Sequence, residues 1–229
     1  MGQAGEIYGL DIETDTRHDG ADPAVAAVRT VALSCRRHDE VFTGDEATLL
    51  TDLNDRLASL PHGIVATWNG STFDLPFIAD RARLLGVRLD LRLCMDRRLT
   101  LGRTPLPGHA GAYRGAWGGH GHVDTFRLYG LNSASPVWTS LRTIGRVLGL
   151  APHTGPSDRT LDLANEALHA HAASDARLAR VLAERRASAA MRIVDRLDVD
   201  EAQAVAVAVG RLERQARHER VLHPSIAGI

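Results

Sequence analysis

Apolar and polar positions along the chain alternate between short strand-like runs and longer stretches with helical spacing. Tyr8 to Thr14 predicts a buried strand, and the β-branched run from Ala24 to Ser34, with Val25, Val28, Val31 and Leu33, predicts a second. His38 to Thr43 predicts a third, closed by Gly44, and such close spacing predicts an antiparallel meander. From Glu46 the period changes: Leu49, Leu50, Leu53, Leu57 and Leu60 recur at helical spacing, with Asp52, Asn54 and Asp55 opposite, until Pro61 and Gly63 end the helix. Gly63 to Thr67 predicts a fourth strand. A tight turn through Trp68-Asn-Gly-Ser-Thr-Phe-Asp74 then leads into an amphipathic helix that reaches Gly86.

Leu89 to Cys94 allows another strand, and residues 96–122, rich in Gly, Pro and Arg, read as a long loop insertion. His122 to Phe126 predicts a further strand and Val137 to Leu150 a helix, followed by a turn-rich link at 153–157. From Thr160 the pattern is mostly helical, over Glu166 to Arg186 and again Val199 to Leu212, before a loose tail at 218–229. No tandem repeat is visible.

At 229 residues and 44% hydrophobic, the chain suits one main domain with a full core. It carries neither an apolar run of bilayer length nor a charged-then-apolar leader, so a soluble, cytoplasmic protein without a membrane partner is expected. Cys35 and Cys94, the only cysteines, are too few for a disulfide scaffold and are expected to be free thiols. The formal net charge of -1 neither demands nor excludes a nucleic-acid partner. There is no lysine, so any cationic contact to phosphate must come from arginine or protonated histidine.

Asp11 and Glu13 interrupt the first apolar run two positions apart and therefore project from one face of the strand. Two anions at the end of such a strand repel each other and resist desolvation, which calls for a cation, most simply a divalent metal. The same pair would also simply end an edge strand facing water. Asp74, near a helix start, suits either chemistry or helix capping. His171 and Asp175 are four residues apart and share a helix face, either as a base and a ligand or as an ordinary surface pair, with His169 close by. In the loop, Arg97, Arg98, Arg103 and Arg114 beside Tyr113 and Trp117 suit a single-stranded nucleic acid, with guanidinium groups on phosphates and rings under bases. The loop also reads as a solvated insertion. His109, His120 and His122 would make an alternative metal site, although a Gly-rich loop preforms one poorly.

Asp11-Ile-Glu13 on the first strand, Asn69-Gly-Ser-Thr-Phe-Asp74 after the fourth and His171-Ala-Ala-Ser-Asp175 on a late helix resemble, in order and context, the three exonuclease motifs of the DEDD superfamily. The similarity is closest to the 3′-to-5′ exonuclease domains of family B DNA polymerases, through Trp68-Asn-Gly-Ser-Thr-Phe-Asp-Leu-Pro-Phe-Ile78, His122-Val-Asp-Thr-Phe126 and the segment from Ser140 to Gly149. It spans about residues 5–187 and departs at His171, where those domains usually carry tyrosine; histidine titrates near neutrality and serves equally as a base.

The resemblance implies an α/β, RNase H-like fold, with a mixed sheet of five or more strands flanked by helices. Residues 1–187 would form the exonuclease domain and 188–229 a C-terminal helical extension. It implies two Mg²⁺ or Mn²⁺ ions held by Asp11, Glu13, Asp74 and Asp175, with His171 as the base, and Thr14, Asn69, Thr72 and Phe73 seating the terminal nucleotide. The expected activity removes nucleoside 5′-monophosphates from the 3′ end of single-stranded DNA. An exoribonuclease or a non-catalytic nucleic-acid-binding module on the same fold is the alternative. The enzyme would act alone or with a partner, and the Ala/Val face after Ser188 offers a surface for self-association or for covering the core.

Overall fold

In the computed structural model, which describes residues 6–17, 19–99, 102–129, 140–150 and 165–195, the first apolar run forms β1 (Glu6–Thr14), an interior strand of the sheet. Its alternation divides cleanly. Tyr8, Leu10 and Ile12 enter the main hydrophobic cluster on one face, while Gly9, Asp11 and Glu13 point to the other. β2 (Val28–Ser34) and β3 (Asp39–Thr43) follow as the antiparallel meander the sequence predicts. β2 starts later than expected, because the Asp22 carboxylate and carbonyl accept the N–H groups of Ala24 and Ala26 and close a turn that leaves Val25 exposed.

α1 (Glu46–Ser59) begins at Asp45, whose side chain accepts the Thr48 N–H, and lays Leu49, Leu50, Leu53 and Leu57 on the β1 core face. β4 (Gly63–Thr67) then pairs parallel with β1, and α2 (Asp74–Leu85) ends at Gly86 in the left-handed conformation. Beyond β5 (Leu91–Met95), the segment read as a continuous loop contains β6 (Tyr113–Trp117), and β7 starts already at His120 and runs to Asp124. That corrects the loop reading, and with it the proposed base-stacking rings. Tyr113 and Trp117 face the main core, where Trp117 donates to Asn54 Oδ1 at 3.0 Å, so neither ring is free to lie under a base. Gly115 occupies the inward position between them, because a Cβ there would come within 2.6 Å of Leu75. A strand whose central inward residue is glycine loses its apolar alternation in sequence.

The seven strands take the order β3-β2-β1-β4-β7-β6-β5, with β1, β4 and β7 mutually parallel and the outer pairs antiparallel. From β1 the chain proceeds toward one edge, and from β4 it leads toward the other. The carboxyl ends of β1 and β4 therefore flank a topological switch point, where open α/β sheets bind ligands.

After β7 come α3 (Phe126–Tyr129), α4 (Leu141–Val147), α5 (Asn165–Arg185) and α6 (Ala187–Ile193). α5 covers the second face of the sheet, with Ala172 and Ala176 against Ala32, while Leu178 and Leu182 meet Leu141 and Ile144 of α4. The segments expected to be helical at 137–139, 160–164 and 199–212, the link at 153–157 and the tail at 218–229 lie outside the described residues, as does most of the proposed association surface.

Candidate active site

The approach of α5 to β1 is set by small residues. A Cβ at Gly9 would overlap the carbonyl oxygen of Ala176, and Ala32, Ala172 and Ala176 are fully buried in the same seam. His171 and Asp175 immediately precede the two seam alanines, so close packing carries them to the end of β1, where the register breaks between Glu13 and Thr14. His171 Nδ1 lies 2.7 Å from Glu13 Oε1 and 3.9 Å from Asp175 Oδ2, without the alignment of a hydrogen bond to either. Glu13, Asp175 and His171 keep 13%, 14% and 16% of their side-chain surface exposed, which leaves the cluster open to a ligand.

The turn from Trp68 to Phe73 brings in the fourth acid. Asn69 adopts a left-handed conformation with φ 63°, and its carbonyl accepts the Thr72 and Phe73 N–H groups and the Thr72 hydroxyl. Asp124, buried at the end of β7, holds this turn by accepting from the N–H groups of Asn69 at 2.9 Å, Ser71 at 3.1 Å and Phe126 at 3.0 Å. Asp74 follows as the first residue of α2, buried, so it is a helical residue rather than the cap, which is Phe73. The Ile12 N–H supports its carboxylate from β1.

Asp11, Asp74 and Asp175 ionise reluctantly. Burial, then the charges of Asp175, Glu13 and Asp74, pushes Asp11 well above the usual carboxylate range; Asp11 keeps some accessible surface but is ringed by protein atoms. Burial pushes Asp74 up to about 7 against the opposing pull of its own N–H, Arg103 and the Ile12 N–H. Asp175 is raised by burial and held back by Arg142 and His171, and Arg142 contacts both of its oxygens, Nη2 to Oδ2 at 3.1 Å and Nε to Oδ1 at 3.4 Å.

Buried carboxylate oxygens lacking enough positive charge are the donor set that suits hard divalent cations such as Mg²⁺ or Mn²⁺. The acids do not close into a tight cage by themselves. Among the described residues, the group whose ligand atoms all fall within 4.8 Å is instead Cys35, His38 and Glu40, at the other end of β2, where Arg56 already forks onto Glu40. Mutual repulsion among the active-site acids, with Arg142 drawn onto Asp175, accounts for the looser spacing.

The expected nucleotide-seating residues are placed unequally. Thr14 and Thr72 are buried, and their hydroxyls donate to the Gly20 and Asn69 carbonyls at 2.7 and 2.9 Å. Phe73 is half-buried, with its ring against Phe77 and under the Arg103 guanidinium. Asn69 Oδ1 is buried without a hydrogen bond.

The three loop-side histidines serve separate partners. His109 lies between Asp80 and Tyr113, the His120 ring meets the Leu57 carbonyl and the Gly63 N–H, and the His122 ring meets Thr67. Asp124, Arg142 and Arg103 were not singled out for these roles from sequence. Asp124 repeats the Asp11 signal, an acid at the end of an apolar strand, whereas an arginine's partner leaves no trace in spacing.

The architecture is an RNase H-like α/β fold, a mixed seven-stranded sheet flanked by helices. The family B DNA polymerase from the hyperthermophilic archaeon Pyrobaculum calidifontis shares it, with a TM-score of 0.59 and 20% sequence identity over 79% of this chain and 24% of the polymerase chain. The protein therefore spans about a quarter of that neighbour's length. It matches no protein-family model and no curated protein sequence. Among the described residues, no helix is long and apolar enough to cross a membrane.

Proposed function

We propose that this protein is a metal-dependent 3′-to-5′ exonuclease that hydrolyses single-stranded DNA and releases nucleoside 5′-monophosphates. The observation that carries the reading is the gathering of Asp11, Glu13, Asp175 and His171 at the carboxyl end of β1, with Asp74 supported from the same strand. The fold shared with a DNA polymerase supports DNA over RNA as the substrate.

Asp11, Glu13, Asp74 and Asp175 would hold the divalent ions. Bound there, the ions supply positive charge that favours ionised water and a departing 3′ oxygen. His171 takes the proton of the attacking water at Nδ1, the ring nitrogen that faces Glu13 and Asp175. The water oxygen bonds to phosphorus as the P–O3′ bond breaks, and the leaving oxygen takes a proton from solvent. Asn69 and Phe73 seat the terminal nucleotide, while Thr14 and Thr72, whose hydroxyls are already used, act by fixing the shape of the loops that bear them.

The test is digestion of a 5′-labelled single-stranded DNA and a matching RNA with Mg²⁺ or Mn²⁺. A ladder shortening from the 3′ end, lost in Asp11→Ala and strongly slowed in His171→Ala, is the expected result. Preferential shortening of the RNA would reassign the substrate, and cleavage of neither strand would remove the nuclease reading.

A further inference from the structure

The arginine-rich segment that follows β5 contributes one residue directly to the site. Gly102 lies on the turn that presents Asp74: a Cβ there would overlap Asn69 Oδ1 and approach the Phe126 ring to 2.9 Å. With no side chain at 102, the backbone seats against the turn, and the next residue, Arg103, lays its guanidinium over Phe73, with Cζ 3.8 Å from the ring centroid. A guanidinium stacked in this way is held in position through its face, and its N–H groups stay in the plane, pointing outward.

Several other arginines around the sheet are already engaged. Arg142 binds Asp175, Arg81 binds Glu46 and the Pro23 carbonyl, Arg56 binds Glu40, and Arg114 faces Asp96. Arg103 is exposed and makes no hydrogen bond to any described residue, yet it is close enough to Asp74 for their charges to interact. An acid-lined site must also admit a polyanion, and in a chain without lysine that task falls to arginine or protonated histidine, of which only arginine carries its charge at every working pH. Phe73 is the platform for the guanidinium, so it serves the terminal nucleotide through Arg103 and not by lying under a base.

We propose that Arg103, stacked on Phe73, holds a phosphate of the bound strand beside Asp74. The assignment rests on the nuclease reading above and adds a specific phosphate contact to it. The contact is made to the backbone, so it serves every base equally and makes binding salt-dependent.

The test uses the full chain carrying Asp11→Asn, to prevent digestion, and fluorescence anisotropy with a labelled short oligothymidylate over a range of salt concentrations. Adding Arg103→Ala weakens binding about tenfold and reduces the slope of log affinity against log salt by about 0.7, the loss of one phosphate contact. Arg103→Lys keeps the charge and restores the slope; Arg103→Gln, which keeps a planar group over Phe73, does not. An Arg103→Ala slope equal to the parent's, or Lys and Gln variants that behave alike, would overturn the assignment while leaving the nuclease reading intact. A parent that binds no strand at any salt would bring down both.

Discussion

At Asp74 the folded protein favours the protonated carboxyl up to about pH 7, because burial outweighs the N–H groups and the arginine that stabilise the anion. In the unfolded chain the same group ionises near the ordinary aspartate value of 3.8. Below that value both states hold the proton and this group's contribution to the stability of the metal-free protein is fully present. As pH rises toward and past 7 the native state must surrender a proton it retains more tightly, and stability is lost. Asp11 and Asp175, raised in the same direction, add to the loss. Asp74→Asn mimics the protonated form. It is expected to match the parent near pH 4 and to exceed it at pH 8 by on the order of 1 kcal/mol, about 2–4 °C in melting temperature for a chain of this size. Mg²⁺ or Mn²⁺ should raise the parent's melting temperature at pH 8, and chelation should lower it again; the variant should respond far less. Thermal unfolding at the two pH values, with and without ions, checks this, and an Asn variant no more stable than the parent at pH 8 would contradict it. Strand alternation pairs Asp11 with Glu13 and helical spacing pairs His171 with Asp175, but their grouping with Asp74 as one site came from the resemblance to the DEDD exonuclease motifs. Asp124, which holds the Asn69 turn, and Arg142, which binds Asp175, depend on contacts between distant segments.

At the scale of elements, the site depends on how closely α5 lies on β1. Gly9 is a position where the absence of a Cβ is required, since the Ala176 carbonyl occupies that space. Gly9→Ala is expected to cost about 1–3 kcal/mol by overpacking. By moving His171 and Asp175 away from Glu13 and Asp11, it should also reduce turnover about 100-fold. Gly111→Ala, which meets nothing within 4 Å, serves as the control and should retain parental turnover. Parental turnover in Gly9→Ala would mean that the α5 approach does not set the site. The elements that frame the site were legible in outline. β1 and β4 announce themselves by apolar runs, and α1 and α2 by their apolar helical spacing and, for α2, a closing glycine. β6 was hidden because Gly115 breaks its alternation to make room for Leu75. The seam's own signal, Gly9 facing Ala172 and Ala176, is a complementarity of small residues across 163 positions or more, which no local period records.

Across the whole molecule, the parallel β1–β4 pair places the acids of β1 and the turn before α2 at one switch point, and α5 closes over them from the second face. The RNase H-like class was legible through the family resemblance that the strand, turn and late-helix motifs carry. The final sheet order was not, because pairing of β4 with β7, and of the β5–β6 hairpin beyond it, is decided by packing between segments far apart in sequence. The most direct measurement of the account is mass spectrometry of the first products released from a single-stranded DNA in ¹⁸O-enriched water with Mn²⁺. Nucleoside 5′-monophosphates carrying one ¹⁸O, absent with Asp11→Ala, are the expected products. Nucleoside 3′-monophosphates, internal fragments as the first products, or the same product from the Asp11→Ala protein would contradict it.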